Sequence, residues 1–425
     1  MGAGELNAIL KGSVVERVLS TYGVRSYFPK GIVAQSQEAA TLATRANATA
    51  GVALEGGHYM THPLFKEFGT LLTTDEMVGY APTGGNRELR QLWHQDLVRK
   101  NQPLAGKSFS LPLVTGGLTH ALSLAGELFL DVGDEIVVPS PCWDNYDLLY
   151  GVRRGCKIKS PHLFDEDLNF TIGNLRAAIE EIEGEKVFLL LNFPNNPSGY
   201  TPTPKEMEEI KDLLVHFANQ GKALVVVIDD AYYGLVHTNE AYPYSLFSLL
   251  CDAHENILAV KCDAATKEAL VWGFRIGFIT YGSRGLTAEH YGALIQKTVG
   301  AIRATISSSS MIGQSLLLKV MQGEGYHKEC ERVANEMKER YKIVKRAIAQ
   351  EEGPLKPLPF NSGYFCAFET EGEANVLREV LLKEGQIGSV ALEGNLLRVA
   401  YSSVDRDLLE PLIGEIYHRS RELWR

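Results

Sequence analysis

Six short apolar runs constrain this chain more than any other feature in it: LPLVT (111–115), EIVVPS (135–140), VFLLLNF (187–193), ALVVVID (223–229), ILAVKC (257–262) and RIGFITY (275–281). Their length and β-branched content suit strands, and their continuity suits strands buried on both faces. Longer stretches with helical patterns separate most of them. That alternation predicts an α/β fold with a largely parallel sheet covered by helices on both sides. One link is different. Only 12 residues join 257–262 to 275–281. That is short for a helical crossover and predicts that one of the two strands runs antiparallel. In such a sheet, ligands bind beyond the carboxyl ends of the strands, so the residues following each run are where function is sought.

The chain has 425 residues, more than one hydrophobic core usually serves, and two domains are expected. Beyond about residue 310 the pattern changes. A long amphipathic helical stretch, broken near Gly323–Gly325, leads to GYFCAFE (363–369), a helix near 373–384, LLRVAYS (396–402) and a terminal helix. The expected division is a large domain over 58–323 and a smaller α+β domain made of 1–57 with 324–425. A proline-glycine break, FPKG (28–31), interrupts the N-terminal part, which is read as joining the small domain or reaching a neighbouring subunit.

The net charge of −10 argues against non-specific nucleic-acid binding, which needs clustered Lys and Arg. None of the six cysteines forms a CxxC pair, so no zinc or thioredoxin-type motif is indicated and no metal is expected. The N-terminus has no long apolar core and no run of about 18 apolar residues occurs, so neither signal peptide nor membrane span is expected. The expected location is the cytoplasm.

The strand ends carry the chemistry. After LPLVT comes Gly116-Gly117-Leu118-Thr119 and then a helical pattern; such a turn brings backbone N–H groups and a helix N-terminus to an anion, and is also plain turn chemistry. After EIVVPS, Trp143 is placed to stack on a flat ring or to fill a core. After VFLLLNF, the Asn195-Asn196 pair lies between prolines. ALVVVI runs into Asp229-Asp230-Ala231-Tyr232. A carboxylate here can keep a pyridine nitrogen protonated through a charge-assisted hydrogen bond, and Tyr232 can reach the same ligand; the plainer role is a helix cap. After ILAVKC comes Thr266-Lys267, with Gly273, Arg275 and Gly277 at +6, +8 and +10 from the lysine. A lysine that acts as a nucleophile must lose its proton, which burial and a nearby cation promote. An arginine fork suits a phosphate.

Taken in order, TGGLT, PSPCW, NNPSG, DDAY, TK-x5-G-x-RIG and the late arginine of LLRVAYS resemble the class I and II aminotransferases of the pyridoxal 5′-phosphate (PLP)-dependent fold type I. The resemblance spans roughly Tyr80 to Arg398. It implies a mainly parallel central sheet flanked by helices plus a smaller α+β domain, and PLP as cofactor. It further implies that Lys267 carries the cofactor and moves a proton between the substrate Cα and the cofactor, and that Asp229 pairs with the pyridinium nitrogen. Asn196 and Tyr232 would bond the ring oxygen, and Trp143 would stack on the ring. Gly117, Leu118, Thr119, Thr266 and Arg275 would hold the phosphate, joined by Tyr80 of a second subunit in a homodimer. Arg398 would bind the substrate carboxylate, with Asn196 beside it. The sequence departs from the family pattern at Ala264, at His120 and in ALEGGHYM (53–60), where Gly57 is aligned with the glycine of a loop lining the substrate pocket.

The expected partners are small molecules, an amino acid and a 2-oxo acid. Arg303, followed four residues later by Ser307, resembles the segment with which aspartate aminotransferases clamp a distal carboxylate from the other subunit, which points to aspartate and glutamate. Aromatic donors, or a PLP β-lyase or synthase on the same fold, remain open alternatives. Decarboxylation is disfavoured, because an arginine at 398 would hold the carboxylate in the ring plane. A non-enzymatic PLP sensor fused to a DNA-binding domain is disfavoured by the acidic charge, and no GxGxxG or GxxxxGK[ST] follows a strand.

Overall fold

A computed structural model describes residues 3–11, 19, 21–25 and 31–424. Phe28, Pro29 and Lys30 of the FPKG break lie outside the described residues.

Seven strands form the central sheet: β1 (Leu113–Thr115), β2 (Glu135–Val137), β3 (Lys157–Lys159), β4 (Lys186–Asn192), β5 (Ala223–Asp229), β6 (Ile257–Ala264) and β7 (Gly277–Gly282), in the spatial order β1-β7-β6-β5-β4-β2-β3. β3, β2, β4, β5 and β6 pair in parallel, whereas β7 is antiparallel to both β6 and β1. The 12-residue link between the last two apolar runs thus enters the reversed strand.

The alternation of side chains along each strand divides the core in two. On β4, Phe188 and Leu190 pack on one face, with the Leu118–Phe129 helix, while Val187, Leu189 and Leu191 pack on the other, with the Pro204–Asn219 helix. Both layers are dry: these residues are 2% exposed or less. Burying each such side chain contributes roughly 1.5–3 kcal/mol, so the sheet is a rigid platform for whatever stands at its carboxyl edge.

The C-terminal part folds around a four-stranded antiparallel sheet of Leu355–Pro357, Phe365–Thr370, Leu396–Ala400 and Val390–Leu392, with the Tyr326–Ile348, Ala374–Lys383 and Arg406–Leu423 helices packed on it. Gly325, at φ +91°, sits where the helical stretch breaks. The N-terminal Ile32–Leu42 helix joins this unit: it lies against Ile387–Gly388 and Val390–Leu392, and the Gln35 amide exchanges two hydrogen bonds with the backbone of Ala391. The short strand Ala46–Asn47 pairs in parallel with Ile387–Gly388. Among the described residues, no helix is long and apolar enough to cross a membrane.

Candidate active site

The carboxyl ends of β1, β2, β4, β5 and β6 open into one cavity of about 550 Å³, closed on its far side by the Ile32–Leu42 helix and by residues 49–51. Leu118, Thr119, Trp143, Asn196, Asp229, Tyr232, Thr266, Lys267, Arg275 and Arg398 all line it.

Lys267 lies on the short Ala265–Glu268 helix that follows β6, with its Nζ 4.6 Å from the centre of the Tyr232 ring. Burial pulls its pKa down to about 8; the charges of Arg275 and Arg398 act in the same direction and Asp229 opposes them. A large share of this amine is therefore neutral at mildly alkaline pH, the state in which it is a nucleophile or proton acceptor.

Asp229 ends β5. Burial pushes its pKa up to about 6, against the pull of the Tyr146 hydroxyl, the Ala231 N–H and the charge of Lys267. The Tyr146 hydroxyl donates to Oδ2 at 2.7 Å and the Ala231 N–H to Oδ1 at 3.0 Å. Asn192, its register partner at the end of β4, donates its amide to the Asp229 carbonyl at 2.9 Å and accepts from the Asn196 N–H at 2.8 Å. One carboxylate and one amide are thus set side by side at neighbouring strand ends.

The glycine turn after β1 forms an anion cradle. Gly117 caps the Leu118–Phe129 helix at φ +92°, and a Cβ there would lie 2.5 Å from an Nη of Arg275. Only a glycine lets the guanidinium settle over the helix N-terminus. His120 belongs to the support of this turn: it accepts from the Gly116 N–H and meets the Thr305 hydroxyl at 2.9 Å. Burial brings its pKa down to about 4, so it is a neutral strut.

Arg398, 2% exposed, reaches the cavity from the C-terminal sheet. It donates to Asn196 Oδ1 at 3.0 Å and to the Thr49 carbonyl at 2.9 Å, and its guanidinium lies 4.4 Å from the centre of the Phe365 ring. Its Nε is buried and has no hydrogen-bond partner among the described residues.

Three residues read from the sequence stand elsewhere. Gly57 does not line the cavity, a correction to its expected place in a pocket loop. ALEGGHYM folds as a hairpin, Leu54–Glu55 against His58–Tyr59, whose exposed tip is Gly56-Gly57, both at positive φ. Gly51 lines the cavity instead, where a Cβ would press on Phe365 and Tyr232. Tyr80 is 96% exposed, and Arg303 is exposed on the last turn of the Ala288–Thr305 helix; neither lines this chain's own cavity. Sequence reasoning missed Tyr146, Asn192 and Ala231, and also Ile32, Ser36, Gln37 and Ala40 from the N-terminal helix.

The residues present fit PLP. Among the described residues that line the cavity, three cations, Lys267, Arg275 and Arg398, face a single carboxylate, Asp229. That excess suits a phosphate together with a substrate carboxylate. The bare Gly117 turn under Arg275 and the unpartnered Nε of Arg398 are features that an anion would complete.

Comparison with known proteins agrees. The model of the family described as aminotransferase class I and II matches residues 55–416. A probable aspartate/prephenate aminotransferase of Aquifex aeolicus is 24% identical over 342 residues, covering 78% of this chain and 81% of that protein. Among solved structures, an aminotransferase from Anaerococcus prevotii superimposes with a TM-score of 0.84 at 21% identity, covering 95% of this chain and 99% of the other. A kynurenine aminotransferase of Pyrococcus horikoshii gives 0.79 at 18% identity, covering 98% and 100%. Fold and cavity together define a PLP-dependent enzyme of fold type I. The chain belongs to the aminotransferase class I and II family and is a PLP-dependent aminotransferase.

Proposed function

We propose that this enzyme moves an amino group between an L-amino acid and a 2-oxo acid with aspartate and glutamate as its favoured donors, using the residues gathered in the cavity. The observation that carries the assignment of roles is the convergence of Lys267, Asp229, Arg275 and Arg398 on one site. When bound, PLP supplies an electron sink for bond breaking at the donor's Cα. Lys267, partly neutral because it is buried, would take the proton from the donor's Cα and deliver it to the cofactor. Asp229, ionised above pH about 6, would hold the proton on the ring nitrogen. Asn196 and Tyr232 would hold the ring oxygen and Trp143 would stack on the ring. Gly117, Leu118, Thr119, Thr266 and Arg275 would cradle the phosphate. Arg398, pinned by Asn196 and Thr49, presents its guanidinium to the donor's α-carboxylate.

Arg303 and Tyr80 are exposed on this chain, which suits residues that complete the site of a second copy in a homodimer, Tyr80 at the phosphate and Arg303 at the distal carboxylate. In the same reading residues 58–323 form the PLP-binding domain, 1–57 with 324–425 form the small domain, and the enzyme is cytoplasmic.

A second reading rests on a specific observation. Ile32, Ser36, Gln37 and Ala40 add no cation to the chain's own cavity, a lining that suits aromatic or other neutral donors. Half-reaction kinetics with aspartate, glutamate, tyrosine and kynurenine, in the wild type and in Arg303→Ala, separate the two. The dicarboxylate reading expects Arg303→Ala to lose about 10²-fold in kcat/KM for aspartate, the size of a lost charge-assisted pair, and little for tyrosine. Equal effects on both donors would take Arg303 out of the distal-carboxylate site, and no activity with dicarboxylates in the wild type would assign the site to neutral donors.

A further inference from the structure

Beneath the cavity, on the opposite face of the sheet, lies a cluster of charges that the chemistry above does not use. Consecutive residues on a strand point to opposite faces. Asp229 therefore faces the cavity while Asp230 faces away. On β6, Cys262 packs on the cavity face, and Lys261 and Asp263 point to the other. The Lys261 Nζ lies 2.6 Å from Asp230 Oδ2 and 3.0 Å from Asp263 Oδ2, and all three side chains are essentially sealed from solvent. The Ser245 hydroxyl donates to Asp230 at 2.5 Å, and the Trp93 indole N–H donates to Asp263 at 3.1 Å, with the Trp93 ring stacked on Phe278.

A buried ion cluster of this kind is weak evidence for stability, since well-packed apolar side chains of similar volume commonly do as well. Its placement suggests another purpose. Asp230 directly follows the carboxylate that faces the cavity, and Asp263 lies four residues before Lys267, at the end of the strand leading to it. Lys261 joins the two, and the Asp230 N–H also donates to the Cys262 carbonyl at 2.9 Å. Two strand ends that carry opposite partners of the cofactor are thus tied together from behind. We propose that the Asp230–Lys261–Asp263 cluster, with Ser245 and Trp93, is a positioning brace that sets the distance between Asp229 and Lys267. This rests on Asp229 and Lys267 being the groups that hold PLP.

The brace separates from that premise in one set of experiments on the full-length, PLP-loaded enzyme. Loss of the visible PLP band in Lys267→Ala establishes the premise; a band that persists there refutes it, whatever the brace does. The brace itself is tested by the triple variant Asp230→Asn, Lys261→Met, Asp263→Asn, which removes all three charges while the neighbouring buried Glu268 keeps Lys100 as its partner at 3.7 Å. Its melting temperature, the pH midpoint of the PLP band, and kcat and KM are compared with the wild type. The expected result is a folded protein whose kcat falls about 10- to 10²-fold, the cost of a misplaced catalytic group, with KM little changed. The band midpoint moves downward, because Asp229, whose charge favours the cationic form at Lys267, is no longer held at its wild-type distance. A folded triple variant with wild-type kcat and midpoint overturns the proposal. Should the triple variant not fold, Trp93→Phe decides: it removes one N–H from Asp263 and keeps an aromatic ring on Phe278. A severalfold loss of kcat with unchanged KM then supports the brace, and wild-type kcat and midpoint overturn it.

Discussion

Tyr146→Phe removes a single oxygen and with it the 2.7 Å hydrogen bond to Asp229. Hydrogen bonds to charged groups are worth about 1.5–3 kcal/mol, which corresponds to about 1–2 pKa units. This bond lowers a pKa that burial has pushed up to about 6. Without it, Asp229 rises to about 7–8. At pH 7 the wild-type carboxylate is then about nine-tenths ionised, and the variant's between about one-tenth and one-half. Only the ionised form pairs with a protonated ring nitrogen, so PLP affinity at pH 7 falls by about twofold to tenfold. At pH 9 both carboxylates are ionised and the affinities converge. The assay is titration of the cofactor-free protein with PLP, followed by absorbance at pH 6, 7, 8 and 9, with thermal melts as a control. Equal affinities at pH 7 would refute the role given to Tyr146. A loss of the same size at pH 9 would mean that the hydroxyl acts through packing and not through the ionisation of Asp229.

Three further outcomes are expected. Arg275→Lys replaces a fork with a point charge over Gly117 and weakens PLP about tenfold while leaving the affinity for phosphate-free pyridoxal unchanged, measured by the same titration. Arg398→Lys raises KM for amino donor and oxo acceptor about 10²-fold, in steady-state kinetics, because both present the same carboxylate to one fork. Lys267→Met stabilises the cofactor-free protein. The folded-state pKa of Lys267 is depressed to about 8 from an ordinary 10.5, so the buried lysine costs no stability above pH 10.5, and the cost grows as pH falls through 8 to about 3 kcal/mol at pH 7. Denaturant unfolding should therefore favour the variant at pH 7, by an amount that shrinks between pH 8 and 10.5.

Much of the site is legible in the sequence because a parallel sheet places successive strand ends on one edge. Asp229, Asn196, Trp143 and Lys267 each follow an apolar run, so the topology alone brings them together. The reversed strand is legible from the length of one link. What escaped has no local signal. Tyr146 reaches Asp229 across 83 positions, and Arg398 meets Thr49 across 349. Such contacts depend on how the units pack, not on any motif. The N-terminal helix carries Ser36 and Gln37 to the cavity because Gln35 and the Ala46–Asn47 strand dock it on the C-terminal sheet. β3, with the sequence Lys157-Ile158-Lys159, was not distinguishable as a strand: it is an edge strand, short and charged as edges commonly are. Gly57 misled because two glycines in a hairpin tip look like two glycines in a ligand loop, and only the pairing of Leu54 with Tyr59 tells them apart.

The most direct test asks which lysine holds the cofactor. The PLP-loaded enzyme is reduced with borohydride, digested, and its peptides are read by mass spectrometry. The phosphopyridoxyl group is predicted on Lys267, at near one equivalent per chain, with the visible band lost in Lys267→Ala. A label found instead on Lys261, Lys100 or any other lysine, or spread over several, would contradict the assignment on which every role above depends.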